Sequence, residues 1–283
     1  MITIELRSSG GDYSTWDAMA TYLRSLFPLS DDVVVNIEGG ATFGTDSAYN
    51  GYITPFGAYV GNNHTIIFQT KLSEQNTPAT IAGMIKTDTG AGDTINVIVR
   101  KLKLRTNCGV GGNGPYGYEG GASKDFSIED CYIAMRTTAD GGNIMGIPAT
   151  RTGTYYLKNC TVALSVASGS ITSAYFALVG TQSITNNIFV VHSASNFTMH
   201  LGAGSNNIGC NYGGGSFSFS GGTGGAETNP LFVDGDIVTG DNESSATVLA
   251  RDAMLTDLSP CIGYAGTGVT TTDIRGKPRH IVG

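Results

Sequence analysis

The sequence predicts an all-β fold in the form of a parallel β-solenoid, with a helix capping its N-terminal end and an irregular cap closing its C-terminal end. Three observations lead there. Short runs rich in β-branched and aromatic residues, among them "VVVNIEGG", "HTIIFQT", "INVIVRKLKLR", "FSIEDCYIAM", "YYLKNCTVAL", "SITNNIFVVHS" and "TNPLFVDG", are bounded by Gly, Asn, Asp and Ser. Charged residues make up only 14% of the chain while glycine occurs 41 times in 283 residues, the balance of a protein made of strands and turns. Several of the runs, set in one frame, repeat.

The repeat is anchored on an apolar residue two positions before an Asp or Asn: Val99, Ile128, Leu157 and Ile184, with Ile67 as a weaker earlier member, at intervals of 32, 29, 29 and 27 residues. Two positions upstream lie Val97, Phe126, Tyr155 and Gln182; three downstream lie Leu102, Cys131, Cys160 and Asn187; five downstream lie Leu104, Ile133, Val162 and Phe189. The column at plus two holds Lys101, Asp130, Asn159 and Asn186, three of which tolerate the left-handed backbone of a tight corner. A strand, a corner and a second strand, recurring with glycine-rich excursions between, describe one coil of a solenoid whose neighbours stack about 4.8 Å apart. An antiparallel sandwich has no reason to keep side-chain columns in step at this period.

The helix is expected over about 14–27, where Trp16, Met19, Ala20, Leu23 and Phe27 recur at helical spacing and Ser14 with Asp17 approximates a capping box. The chain is therefore expected to be one domain, 1–283, with an N-terminal cap over 1–32, β-helix coils over about 33–235 and a C-terminal cap over about 236–283.

Composition also excludes. A net charge of −7 and a pI near 5.0 give no footprint for nucleic acid or an anionic membrane, and the one basic run, Arg100-Lys101-Lys103-Arg105, reads as a strand with a basic edge. The opening "MITIELRSSGG" lacks the basic, apolar and small-residue segments of a signal peptide, from which synthesis in the cytoplasm is expected. Five cysteines at 108, 131, 160, 210 and 261 form no CxxC pair, so no zinc or dithiol site is expected. "GVGGNG" at 109–114 satisfies GxGxxG but is followed by Pro115 and "YGYEGG", which reads as a loop and not a dinucleotide turn. No cofactor or metal is called for, and the acidic group Asp234, Asp236, Asp241 and Glu243 reads as a solvated loop.

The coil pattern resembles a right-handed parallel β-helix of the pectin-lyase-like superfamily, of the short signal-free kind found among phage and prophage structural proteins. "GGDYSTWDAMATYL" resembles the capping segment with which many such chains start, and "TNPLFVD", "LSPCIGYAG" and "DIRGKPR" resemble elements with which they close. That fold serves lyases, hydrolases, adhesins and tailspikes alike, so the resemblance implies a fold more than an activity.

Chemistry centres on the column just after the anchor: Arg100, Glu129, Lys158 and Thr185. These side chains are expected to point outward, with consecutive members within roughly 5 Å. A polysaccharide lyase needs a cation against a uronate carboxylate and a base for the C5 proton, which Arg100, Lys158 and Glu129 would supply. The same column reads more readily as an alternating-charge ladder between stacked strands. The polygalacturonase-like "GHG" motif is missing, and the only Asp-Asp pair, Asp31-Asp32, precedes the repeat. His64, His192, His200 and His280 stand apart in sequence, with His192 and His200 able to approach in a solenoid. Tyr52, Tyr116, Tyr118 and Tyr212 lie beside glycine and read either as sugar-stacking or partner-binding residues or as loop anchors. Cys131 and Cys160, in one inward column, are expected reduced, buried and stacked. The functional expectation is a non-enzymatic virion surface protein, a capsid decoration or a fibre or spike component. It would be made in the host cytoplasm and carried out on the particle, with virion proteins, further copies of itself or a host glycan as partners. The rival expectation is a lyase or depolymerase acting on an anionic glycan.

Overall fold

The computed structural model describes residues 1–53, 62–89, 95–108, 113–120, 125–137, 142–146, 154–167, 172–175, 181–221, 225–240, 243–251, 253–256 and 259. All strand pairings within its sheets are parallel, and the fold is a β-solenoid.

One sheet stacks eight rungs: Ile2–Leu6, Val33–Ile37, Thr65–Thr70, Asn96–Arg100, Phe126–Glu129, Thr154–Lys158, Thr181–Thr185 and Gly204–Ser205. Its register is continuous, Val99 opposite Ile128, Ile128 opposite Leu157 and Leu157 opposite Ile184. The second sheet runs from Thr42–Tyr52 through Thr80–Thr89, Lys103–Cys108, Tyr132–Thr137, Thr161–Val166, Ile188–His192 and Asn207–Asn211 to Gly225–Glu227. A third run, from Asn113–Gly120 to Phe217–Ser220, joins the second through Thr80–Thr89. The first part of that strand pairs with Lys103–Cys108 and its later part with Asn113–Gly120, on either side of Gly83 at φ 87°.

Between the first and second sheets the chain turns at one residue per coil. Lys101, Asp130, Asn159, Asn186 and Asn206 all have left-handed backbone, φ 51–60°. Each of the first four donates its N–H to the residue before the next corner: Lys101 to Glu129 O, Asp130 to Lys158 O, Asn159 to Thr185 O and Asn186 to Ser205 O, at 3.0–3.2 Å. Asn and Asp tolerate this conformation best, and Lys101 shows that the stacking imposes it on an ordinary side chain. The basic run is accordingly no single strand, because Lys101 is a corner that puts Arg100 and Lys103 on different faces.

Ile67 is not the earlier member of the anchor column. Phe68 stands opposite Val99, and the column continues to Val35 and Ile4. In "TIIFQT" two neighbouring apolar residues compete for the frame. A slip of one residue exchanges the inner and outer faces, so the choice is decided by burial: Phe68 is 0% exposed. The coil of Phe68 also lacks an Asn or Asp corner, its turn being made by the 3₁₀ segment Leu72–Glu74.

Helix α1 spans Trp16–Ser25 and not 14–27. Thr15, with extended backbone, is the N-cap and accepts from Ala18 N at 3.3 Å, so the cap lies one residue beyond the expected Ser14. Trp16, Met19, Ala20 and Leu23 are buried, and the Trp16 ring stacks on Phe68 at 5.5 Å, which seats the helix on the end of the core. Parallel stacking begins before the helix, since Ile2–Leu6 pairs with Val33–Ile37.

A second apolar cluster lies outside the solenoid. Phe232, Ile237, Val238, Val248 and Leu249, the last two in helix α2 (Ser245–Ala250), cover Tyr132, Ala134, Ala163, Val190 and Cys210 on the outer side of the second sheet. Tyr132 Oη donates to Val248 O at 2.8 Å. The signal for this strap is in the sequence: "CYIAM", "VAL" at 162–164 and "IFVV" are apolar at consecutive positions, the mark of strands covered on both faces.

The first three coils are also tied by charge. Arg7 reaches Glu74 at 2.8 Å and Glu38 at 3.7 Å, while Ser8 donates its N–H and hydroxyl to Glu38 and Gly39 donates to Glu74. Hydrogen bonds from Ser8 hold the Glu38 carboxyl below the usual glutamate range, and the hydrogen bond from Arg7 does the same for Glu74. A carboxyl whose native pKa is lowered stabilises the fold above its unfolded value, about 4.3, and that stabilisation is lost as pH falls through the lower native value. Glu74→Gln is therefore expected to lower the melting temperature at neutral pH, with the gap to the unsubstituted protein closing in acid below the native value. Thermal unfolding at neutral and at acid pH checks it, and a gap that persists in acid contradicts it.

Candidate functional site

The column after the anchor is brought together as expected. Arg100 stands opposite Glu129, Glu129 opposite Lys158 and Lys158 opposite Thr185. It also extends to Glu5, Asn36 and Gln69 on one side and Ser205 on the other, members that become legible once Phe68 sets the frame. The side chains are bonded along the axis. Asn36 Nδ2 donates to Glu5 at 3.0 Å, Gln69 Nε2 to Asn36 at 2.9 Å, and Arg100 Nε to Gln69 at 2.9 Å. Lys158 Nζ lies 3.7 Å from Glu129 and 4.3 Å from the centre of the Tyr156 ring. Ser127 Oγ donates to the same Glu129 oxygen at 2.5 Å. The column is thus a ladder in which each group is spent largely on its neighbour.

Inside the corner runs a second ladder, in which the cysteines take part. Cys131 Sγ lies 3.7 Å from Val99 O, and Cys160 Sγ lies 3.6 Å from Ile128 O. Asn187 Nδ2 donates to Leu157 O, and Asn207 Nδ2 donates to Ile184 O, both at 2.9 Å. In return Cys131 N–H is directed at Cys160 Sγ at 3.5 Å, Cys160 N–H at Asn187 Oδ1 at 2.9 Å, and Asn187 N–H at Asn207 Oδ1 at 3.1 Å. Thiol and amide fill one position but not identically: Cys160 Sγ, Asn187 Oδ1 and Asn207 Oδ1 each accept the preceding coil's N–H, while the amides donate to that coil's carbonyl and the thiols lie closer to a carbonyl of their own coil, Cys131 Sγ to Glu129 O at 3.3 Å and Cys160 Sγ to Lys158 O at 3.2 Å. Both thiols are free and buried, and burial pushes Cys160 well above the ordinary thiol range, as befits an inert group. Cys210 is also free, beneath the strap, while the side chain of Cys108 and all of Cys261 lie outside the described residues.

The tyrosines divide. Tyr212 is partly buried and packs against the strap cluster. Tyr52 lies on the strand Thr42–Tyr52, and Tyr116 and Tyr118 lie on Asn113–Gly120, with their side chains outside the described residues. Of "GVGGNG", Asn113 and Gly114 open that last strand and 109–112 lie outside the described residues. His192 pairs with Ser165 on the second sheet and His200 with Tyr175 on the third, so sheet pairing does not join them. His64 faces Asp32 at 3.3 Å, and His280 lies outside the described residues. In the acidic segment Glu243 pairs with Arg251 at 2.5 Å and accepts from Thr239 N at 2.8 Å. Burial pushes its carboxyl up, but these bonds outweigh burial and leave it below the usual range. Asp241 lies outside the described residues, and among those described no group of three or more His, Cys, Asp or Glu is placed to hold a metal.

No family model, no curated protein and no solved structure matches this chain.

The two ladders differ in their cost of removal. Asn187→Leu strands the buried Cys160 N–H and removes a bond to the Leu157 carbonyl, and is expected to cost about 2–5 kcal/mol, whereas Asn187→Cys, which keeps an acceptor for that N–H, is expected to cost about half as much. Lys158→Ala on the outer ladder is expected to change stability by about 1 kcal/mol or less. Urea unfolding of the three variants checks the order; equal losses for Asn187→Leu and Asn187→Cys contradict it.

Proposed function

We propose that the chain is a non-enzymatic structural rod of a virion surface, a capsid decoration or a fibre or spike component, of the pectin-lyase-like kind its coil and cap motifs resemble. The observation that carries the non-enzymatic part is the axial ladder on the first sheet. The three residues a lyase would use, Arg100, Glu129 and Lys158, are engaged in the column: Arg100 with Gln69 and Lys158 with Glu129 across coils, and Glu129 also with Ser127 of its own strand. Lys158 is held between a carboxylate and an aromatic ring, an arrangement suited to stiffening a sheet face. Supporting the surface role is the architecture itself. A solenoid whose backbone ladders join each coil to its neighbours, with a helix on one end and a strap along one side, is a stiff spacer that displays its faces and loops. Virion proteins, and a host glycan at the exposed loops, are the partners this reading names.

One observation favours the rival lyase reading: Arg100, Glu129 and Lys158 do occupy adjacent rungs of one outward column. Incubation with anionic polysaccharides, followed at the ultraviolet absorbance of the unsaturated product, separates the two. No product is expected. Product formation abolished by Lys158→Ala overturns the non-enzymatic reading, and absence of the chain from purified particles, where stoichiometric copies are expected, overturns the virion role.

A further inference from the structure

The strap covers the second sheet, whereas the outer face of the first sheet carries a partly apolar column beside the polar ladder, its apolar members being Val34, Ile67, Ile98 and Tyr156. That column runs Thr3, Val34, Ile67, Ile98, Ser127, Tyr156 and Ser183. Ile67, Ile98 and Tyr156 keep part of their surface exposed. The polar ladder beside it reads, rung by rung, Glu5, Asn36, Gln69, Arg100, Glu129, Lys158, Thr185 and Ser205. With eight rungs in the sheet, the midpoint falls between Arg100 and Glu129.

We infer that this face is an interface for a second copy of the same chain, laid face to face and antiparallel about a two-fold axis between the Arg100 and Glu129 rungs. The axis runs along the strands, so it keeps each column opposite itself and reverses the order of rungs. Arg100 then meets Glu129 of the other copy, and the symmetry supplies that contact twice. Ile67 meets Tyr156, Gln69 meets Lys158, and no like charges oppose one another on the ladder. Arg100 uses Nε for Gln69, and among the described residues its terminal amino groups make no further bond, so the guanidinium retains donors for a second carboxylate.

The parallel alternatives gain nothing from charge: centred between the two columns they set Arg100, Glu129 and Lys158 on Ile98, Ser127 and Tyr156 and pair no opposite charges, and centred on either column they oppose like charges. Two parallel copies centred on the polar column set Arg100 on Arg100, Glu129 on Glu129 and Lys158 on Lys158. Centred on the apolar column they set Glu129 against Asp125, again twice. Only the antiparallel arrangement makes full overlap of the rungs and charge complementarity coincide. Eight rungs about 4.8 Å apart and five residues at about 3.3 Å give a footprint of roughly 600 Å² per copy, or about 1,200 Å² in all. That is the lower bound for a specific interface, so a concentration-dependent dimer is expected and not a permanent one.

The inference rests on the face being structural and not catalytic, and the polysaccharide assay tests that separately: a monomer without lyase activity overturns the dimer alone. Sedimentation velocity of the full chain over a wide concentration range is expected to show monomer and dimer in exchange. Arg100→Glu and Glu129→Arg are each expected to weaken self-association about tenfold or more. An equimolar mixture of the two variants is expected to recover the dimer, because in the mixed pair each reversed charge meets an opposite one. Circular dichroism verifies that each variant is folded; if either is not, Arg100→Gln and Glu129→Gln replace the reversals and are each expected to weaken association. A monomer at every concentration, a dimer indifferent to Arg100→Glu, or a mixture of folded reversal variants that stays monomeric overturns the inference.

Discussion

Everything in this fold depends on one constraint, that each coil's backbone finds its hydrogen-bond partners only in the coils above and below. A strand can satisfy that through its ladder, but a corner leaves the ladder, and there the chain meets the requirement with a single left-handed residue. Its N–H still reaches the next coil, from Lys101 to Glu129 O and onward to Asn186 and Ser205 O. Because the corner is one residue wide, both flanking strands keep their inward parity. The anchor, the bridging side chain and the outer ladder then follow in fixed order: anchor inside, ladder outside, corner, bridge inside. Glycine would meet the φ requirement but would give up the side-chain contact that Asn186 makes with Asn159 on the preceding corner.

The bridging position shows what the constraint costs and how it is met. The carbonyl of each anchor residue also presents a lone pair to the interior side of a corner, where the bridging side chain of the next coil reaches it. Asn187 and Asn207 donate to such carbonyls, and the thiols of Cys131 and Cys160 lie near them. Leu102, one coil earlier, is fully buried with no polar group to offer. The ladder is therefore built from the C-terminal side toward the middle of the rod. The last coils shorten too, bridging side chains being 29, 27 and then 20 residues apart. Gly209 falls where Phe189 would otherwise recur, and a Cβ there would lie 2.1 Å from Cδ1 of Phe217, so the narrowing end is filled by a ring from another strand.

Much of this was legible in the sequence because the repeat is carried by residue types with local reasons to be where they are. Asp130, Asn159 and Asn186 mark corners, Cys131, Cys160 and Asn187 mark the bridge, and Arg100, Glu129 and Lys158 announce an outward column. Legibility failed where those local reasons are absent. The early coils turn without Asn or Asp, so Ile67 and Phe68 could not be told apart by pattern, and Glu5, Asn36 and Gln69 stayed hidden from the ladder they complete. Thr15 and Ser14 are both competent caps, and only the path of the chain into the helix selects Thr15. The strap was missed although Tyr132, Ala134, Ala163 and Val190 stand apolar at outward positions, because a lone apolar residue on a sheet face is ordinary and only the column of them is informative.

The account stands or falls on the corner amides. A residue at a solvent-side turn of a β protein normally exchanges its amide hydrogen quickly, but a corner N–H bonded to the next coil opens only when the stack opens. Amide hydrogen exchange followed by NMR at Lys101, Asp130, Asn159 and Asn186 tests this most directly. Protection comparable to that of the interior strand amides at Val99, Ile128 and Leu157 is the expected result. Exchange at the rate of an exposed turn at these four positions would contradict the coil-to-coil stacking on which the ladders, the face and the register all rest.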